Sequence, residues 1–278
     1  MPNTIDSLNY TGLCEPFPRI FDLVEPSTAQ QELQKQRILA VIPARLGSTR
    51  LPRKVLREIA GEPMIAWVYR AARACPLLDQ VLIATDSDEV LAFAQEHSLP
   101  AVFTPEDCAS GTDRVQAVAE SIAADIYVNI QGDEPLLRPE HLDALLEPMA
   151  QPEVEVSTLA TRCSPDQINN PSAVKVVTGV NGRALYFSRA ALPYDRDNVG
   201  GIAYRKHLGI YAYRKSALHK FPGLPPSSLE AAEKLEQLRF LENGIDIYVA
   251  DTPYDTIGVD TEEDLRVVEA ILTNIVRN

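Results

Sequence analysis

From Arg37 onward the chain alternates short apolar runs with stretches of helical apolar spacing, and that alternation constrains the fold more than any other feature. Two strands of one sheet joined through a helix run parallel, because the helix carries the chain back to the edge it started from. RILAVIP, residues 37–43, is a continuous apolar run bounded by Pro43, the pattern of a strand covered on both faces. PMIAWVYRAARA opens with Pro63, a residue suited to a first helical turn. QVLIATD reads as a second buried strand and residues 88–97 as a helix; a short strand at 101–103, a helix after Ser110 and a strand IYVNI at 126–130 come next. A helix at 139–149, a strand at 154–161, helices at 228–243 and 261–276 and the strand IDIYVA between them extend the series. Between 174 and 214 the pattern turns mostly β, which predicts a smaller β subregion set into a three-layer α/β frame.

Residues 1–36 differ from the rest of the chain. They are punctuated by Pro2, Pro16, Pro18 and Pro26 and lack sustained periodicity, so they read as an irregular extension ahead of one domain over 37–278. They hold two basic and five acidic groups and no apolar stretch of signal-peptide type. Nowhere does an apolar run approach the roughly 18–20 residues of a transmembrane helix. Cys14, Cys75, Cys108 and Cys163 have no metal-clip spacing. These features predict a cytoplasmic protein with reduced thiols. With 26 Lys and Arg against 39 Asp and Glu, the net charge of −13 argues against a nucleic-acid partner and against an anionic membrane surface.

No two glycines stand two apart and no Walker loop occurs, so a nucleotide site has to be built without either motif. The best candidate lies just after the first strand. Arg45, Arg50, Arg53 and Lys54 fall within ten residues on a loop that also holds Gly47, Ser48 and Thr49. Ligands of open α/β sheets bind at the carboxyl ends of strands; small residues admit backbone N–H groups to phosphate oxygens, and cations neutralise them. Gln131-Gly132-Asp133-Glu134-Pro135 lies at a second carboxyl end. Its Asp suits Mg²⁺, although Gly-Asp ahead of Pro is equally turn chemistry. Ser110 with Asp113 has capping-box form, and Arg114 on the same turn is placed to face a nucleotide. Asp260 precedes another cap, Thr261 with Asp264. Glu236 and Gln237 flank the stripe Leu235, Leu238 and Leu241 and read, on spacing alone, as a solvated helix face. His207 and Tyr211 are four apart in a strand and so share a face; a lone histidine is as a rule structural.

Taken in order, IPARLGSTRLPRK, ATDS, SGTDR, NIQGDEP, NPSAVKVV, ALYFSRAALPYDRD, KHLGIYAYRK, LEQLRFLENG and GVDTEEDL resemble the 3-deoxy-manno-octulosonate cytidylyltransferase family over about residues 38–275. The resemblance implies the nucleotidyltransferase fold of nucleotide-diphospho-sugar transferases, with a mostly parallel mixed sheet. It implies Mg²⁺-dependent transfer of CMP from CTP to 3-deoxy-D-manno-octulosonate (Kdo), giving CMP-Kdo and pyrophosphate for lipopolysaccharide. By motif position, Ala44, Arg45, Ser48, Arg50 and Lys54 would hold the triphosphate, Ser110 and Arg114 the cytosine or its ribose, and Asp133 and Asp260 the metal. Arg45, Arg50, Lys54 and Asp133 would carry the catalysis. Gln131, Arg189, His207, Tyr211, Glu236 and Gln237 would line the Kdo pocket, with Arg189 on the sugar carboxylate. The family is also dimeric through its β subregion. One departure stands out: Arg53 occupies the place before the lysine where the family usually has Gly. The rival readings are a cytidylyltransferase for sialic acid or an amino analogue of Kdo, and a non-catalytic nucleotide-sugar-binding relative. The second would be expected to lose a metal carboxylate or the lysine, yet Asp133, Asp260 and Lys54 are all present.

Overall fold

The computed structural model describes residues 27–47, 50–108, 110–198 and 200–277. Its centre is a sheet whose strands β1 (Ile38–Ala44), β4 (Gln80–Thr85), β5 (Ala101–Phe103), β6 (Ile126–Asn129), β7 (Val156–Arg162), β10 (Arg205–Arg214) and β11 (Ile247–Asp251) lie in the order β11-β7-β10-β6-β1-β4-β5. β1 pairs in parallel with β4 and β6, β4 with β5, and β11 with β7; β10 runs antiparallel to both of its neighbours. The sheet is therefore mixed and mostly parallel, as expected. β1 shows why its run is continuous. Ile38, Ala40 and Ile42 belong to the apolar cluster on one face, while Leu39 and Val41 belong to that on the other.

Helices α2 (Met64–Arg73), α3 (Asp88–Glu96), α4 (Gly111–Ser121) and α5 (Pro139–Leu146) connect the strands, and the short hairpin β2 (Glu58–Ile59) and β3 (Glu62–Pro63) precedes α2. Ser87 caps α3 and Ser110 caps α4, each accepting from the backbone N–H three residues on. After β10 come α6 (Lys215–Lys220), α7 (Ser228–Glu233) and α8 (Gln237–Glu242). The final helix, α9 (Glu262–Arg277), joins Trp67 of α2 in a third apolar cluster through Leu265, Val268 and Leu272.

Four expectations change. Residues 1–26 lie outside the described residues, but the rest of the supposed extension is not irregular. Ser27 and Gln30 form a reciprocal capping box that starts α1 (Thr28–Leu33), Leu33 is buried in the main core, and Gln36 accepts a hydrogen bond from Arg214 Nη1 at 2.8 Å. Pro43 lies inside β1 rather than bounding it. Val41 O receives Ile130 N from the β6 side. Pro43, two residues on, faces that same side, where β6 has already ended, and its missing N–H forfeits no ladder bond. The β subregion is smaller than 174–214. Only β8 (Lys175–Thr178) and β9 (Ala184–Ser188) form it, hung on the end of β10, which is a central strand of the main sheet. Finally, the helix expected over 228–243 breaks at Lys234, whose φ of 55° and ψ of 48° are left-handed.

Candidate active site

The carboxyl ends of β1 and β6 open into a cleft of about 780 Å³. Arg45 and Arg50 of the loop after β1 line it, as do Gln131 and Asp133 after β6 and Ser110 at the start of α4. Gly132 makes that meeting possible: a Cβ there would stand 2.8 Å from Pro43 O, so only a glycine lets the turn press against β1. His207 and Tyr211 from β10, Glu236 and Gln237 from the start of α8, and Asp260 ahead of α9 complete the wall.

Lys54, with its side chain 14% exposed, is not itself among the lining residues but is bonded to two carboxylates that are. Its ammonium donates to Asp133 Oδ2 at 2.5 Å and to Asp260 Oδ1 at 2.9 Å, so two carboxylates 127 positions apart in sequence meet through one cation. Burial is the largest single influence on Lys54 and lowers its pKa, yet the two carboxylates together outweigh it and the pKa stands above the ordinary lysine value. Burial likewise pushes Asp260 up, but Lys54 and Arg50 prevail and hold it below the usual carboxylate range. Arg50 donates to Asp260 Oδ2 at 2.9 Å. Val259 N donates to Asp133 O at 2.9 Å, a direct main-chain tie between the segments that carry the two acids. Arg53 has a φ of 55°, the left-handed region that a glycine would occupy without strain, and is paired with Glu89.

The opposite wall is polar and underbonded. β10 bulges between Leu208 and Tyr211, and Thr158 Oγ1 of β7 sits against the bulge, 2.8 Å from Ile210 O and 3.2 Å from Leu208 O. Since the Thr158 hydroxyl donates to a carbonyl, the hydrogen-bond network assigns the proton to His207 Nε2, 3.0 Å from Thr158 Oγ1. That leaves His207 Nδ1 as an acceptor. Burial, with Lys206 adding, pushes His207 down to about 3, so the ring is neutral. Gln237 Nε2 and the Tyr211 hydroxyl are buried without a hydrogen-bond partner among the described residues. Burial also raises the Glu236 carboxyl above its usual value.

Three expected site residues stand elsewhere. Arg114 is 2% exposed and does not line the cleft; it pairs with Asp86 at 2.6 Å and with Thr104. The guanidinium of Arg189 is engaged by main-chain carbonyls and also stands apart from the cleft lining. Ala44 is fully buried in the core at the end of β1. Ser48 lies outside the described residues. The sequence reading missed Asn129, a buried amide on β6 that accepts from Gln131 at 3.3 Å, and Glu134 and Lys206, which also line the cleft. A polar residue inside the apolar strand IYVNI was the available signal for Asn129. Burial, with Asp133 adding, pushes Glu134 up to about 7.

Comparison with known proteins bears on the family and the fold. A family model described as cytidylyltransferase matches residues 39–247. The 3-deoxy-manno-octulosonate cytidylyltransferase of Acidobacterium capsulatum is 72% identical over 235 residues, 84% of this chain and 96% of the relative. That of Koribacter versatilis is 59% identical over 257 residues, 92% and 98% of the two chains. A solved structure of CMP:2-keto-3-deoxy-manno-octonic acid synthetase complexed with CTP superposes with a TM-score of 0.82 at 43% identity, covering 86% of this chain and 99% of that one. A putative glucose-1-phosphate thymidylyltransferase from Bacillus anthracis, 16% identical with a TM-score of 0.61 over 85% and 96% of the chains, shares the fold alone. On the match to the family model and the identity to these relatives, the chain belongs to the 3-deoxy-manno-octulosonate cytidylyltransferase family of cytidylyltransferases.

Proposed function

We propose that this protein transfers CMP from CTP to Kdo with release of pyrophosphate, supported by Mg²⁺. The observation that carries the reading is Lys54, bonded to both Asp133 and Asp260, two carboxylates that line a cleft with a basic loop on one side and an underbonded polar wall on the other. The anomeric hydroxyl of Kdo attacks the α-phosphorus of CTP in line, the bond to the β-phosphate oxygen breaks, and one proton is released overall. Such a transfer depends on positioning and charge neutralisation rather than on a protein nucleophile. Arg45, Arg50 and Lys54 are the cations that would neutralise the triphosphate. The Tyr211 hydroxyl and Gln237 Nε2 have no hydrogen-bond partner among the described residues, and a buried polar group without one is costly. Sugar hydroxyls, together with the free Nδ1 of His207, would satisfy that wall.

The donor set fits the metal. Mg²⁺ is bound by one or two carboxylates, with water and substrate phosphates filling the remaining positions; Asp133 and Asp260 supply two, and no cluster of three such donors occurs among the described residues. When bound, the ion would act as a Lewis acid on phosphoryl oxygens. Location in the cytoplasm and a homodimer belong to the same reading. Support for self-association comes from Val180, Leu185 and Tyr194, which stand exposed between residues 174 and 214. Pyrophosphate release should require CTP, Kdo and Mg²⁺ together. Release that persists without Kdo, or that never occurs with all three, would overturn the proposal.

A further inference from the structure

Lys175 opens β8 inside the apolar run AVKVV and is fully buried, paired in the sheet with Ser188 of β9 and Lys206 of β10. Among the described residues its ammonium enters no ion pair and donates to two main-chain carbonyls, Asn170 O at 2.8 Å and Ala173 O at 2.5 Å. The Glu233 carboxylate, which favours the charge from a distance, is taken up by Ser188 Oγ at 2.5 Å and Arg189 N at 3.0 Å. Removing an unpaired ammonium from water is costly, and burial pushes its pKa below the ordinary lysine value. An apolar side chain of the same bulk would carry no such cost. What the ammonium adds is its hold on the two carbonyls.

Those carbonyls bracket a turn. Ala173 N donates to Asn170 O at 3.1 Å, and Ser172 N donates to Asn170 Oδ1 at 2.9 Å. Asn170, Ser172 and Ala173 all line the cleft. The next residue, Val174, accepts His207 N through its carbonyl at 2.8 Å, which ties the turn to the strand that carries His207 and Tyr211. The turn thus stands with the underbonded polar wall, away from the basic loop after β1.

We infer that Lys175 is a positioning residue for the sugar half of the cleft: its buried ammonium clamps the Asn170–Ala173 turn and, through Val174, fixes that turn against His207. This inference rests on the reading of the cleft as a Kdo site. Lys175→Met keeps the bulk and removes the donor from both carbonyls. It should raise the KM for Kdo roughly tenfold, with kcat and the KM for CTP each changed less than about threefold. In the ligand-free variant, the amides of Ser172 and Ala173 should exchange with solvent faster than in the wild type, while those of β1 and β4 keep their wild-type rates.

A folded Lys175→Met variant with a normal KM for Kdo would overturn the inference. So would equal rises in both KM values with exchange accelerated across the sheet, the signature of a lysine that only supports the fold. If the variant does not fold, the wild type decides, with CTP and 2-deoxy-Kdo, which lacks the attacking hydroxyl and cannot turn over. Exchange at Ser172 and Ala173 should slow beyond the effect of CTP alone, and no further slowing would overturn the inference. If the wild type fails to use Kdo at all, the functional reading falls, and exchange at these two amides in the ligand-free variant still decides whether the clamp exists.

Discussion

Replacing Lys54 with Met keeps most of the bulk of the buried stem and removes the ammonium that joins Asp133 to Asp260. The contact with Asp133, at 2.5 Å and with both groups largely shielded, is a charge-assisted hydrogen bond worth about 1.5–3 kcal/mol. The contact with Asp260 counts for less, under about 1 kcal/mol, because that carboxylate is 45% exposed and screened. Burial of the ammonium opposes both, so the net loss of stability is about 1–2 kcal/mol, or roughly 2–8 °C in Tm for a chain of this size. The catalytic loss should be larger. Removing one donor from developing charge costs roughly 10²–10³ in kcat/KM, about 3–4 kcal/mol. Because the Lys54 pKa is raised, the stabilisation it provides is fully present below the unfolded lysine value of about 10.4 and is lost only as pH rises through the folded value. The difference in Tm between wild type and variant should therefore be constant from about pH 6 to 9. Pyrophosphate release and thermal melts on the same preparation give both numbers. A folded Lys54→Met variant with near-wild-type kcat/KM would refute the role given to this residue.

Arg53→Gly relieves the left-handed backbone but loosens the unfolded chain and breaks the exposed pair with Glu89, so stability should stay within about 1 kcal/mol; a larger fall in Tm would show that the loop depends on Arg53. A chain beginning at residue 36 should melt several degrees below one beginning at residue 27, because burial of Leu33 alone is worth about 1.5–3 kcal/mol; equal melting temperatures would make α1 dispensable. For His207, the folded pKa of about 3 lies below the unfolded value near 6.5. The stabilisation tied to its neutral ring is therefore present above about pH 6.5 and lost as pH falls toward 3. His207→Gln should flatten the acid side of the stability profile between those limits, and identical profiles would place the acid sensitivity elsewhere.

The order of strands and helices was legible because a sheet covered on both faces demands apolar runs, and β1, β4 and β6 supply them. The basic loop was legible for the same reason, since it lies beyond the carboxyl end of the first such run. The pairing of Asp133 with Asp260 was not legible from spacing: it needs the close approach of Gly132 to Pro43 and the bond from Val259 to Asp133 O, both long-range. No glycine or proline marks the break at Lys234, so helical spacing continued across it on paper while tertiary hydrogen bonds ended the helix in the structure. The carbonyls that Arg189 meets in the ligand-free chain were not legible either. A guanidinium serves a carboxylate and a set of carbonyls equally well, and sequence does not reveal which acceptors the fold brings to it. α1 escaped notice because a six-residue helix is too short to show a period.

The most direct test of the account is competition in one tube. CTP, Mg²⁺ and equal concentrations of Kdo and sialic acid are incubated with the protein, and the nucleotide sugars formed are separated and weighed by mass spectrometry. The polar wall of His207, Tyr211, Glu236 and Gln237 should be satisfied by one arrangement of hydroxyls and penalise another that leaves its groups unpaired. The account predicts CMP-Kdo as the dominant product. CMP-sialic acid in equal or greater amount, or no nucleotide sugar at all, would contradict it.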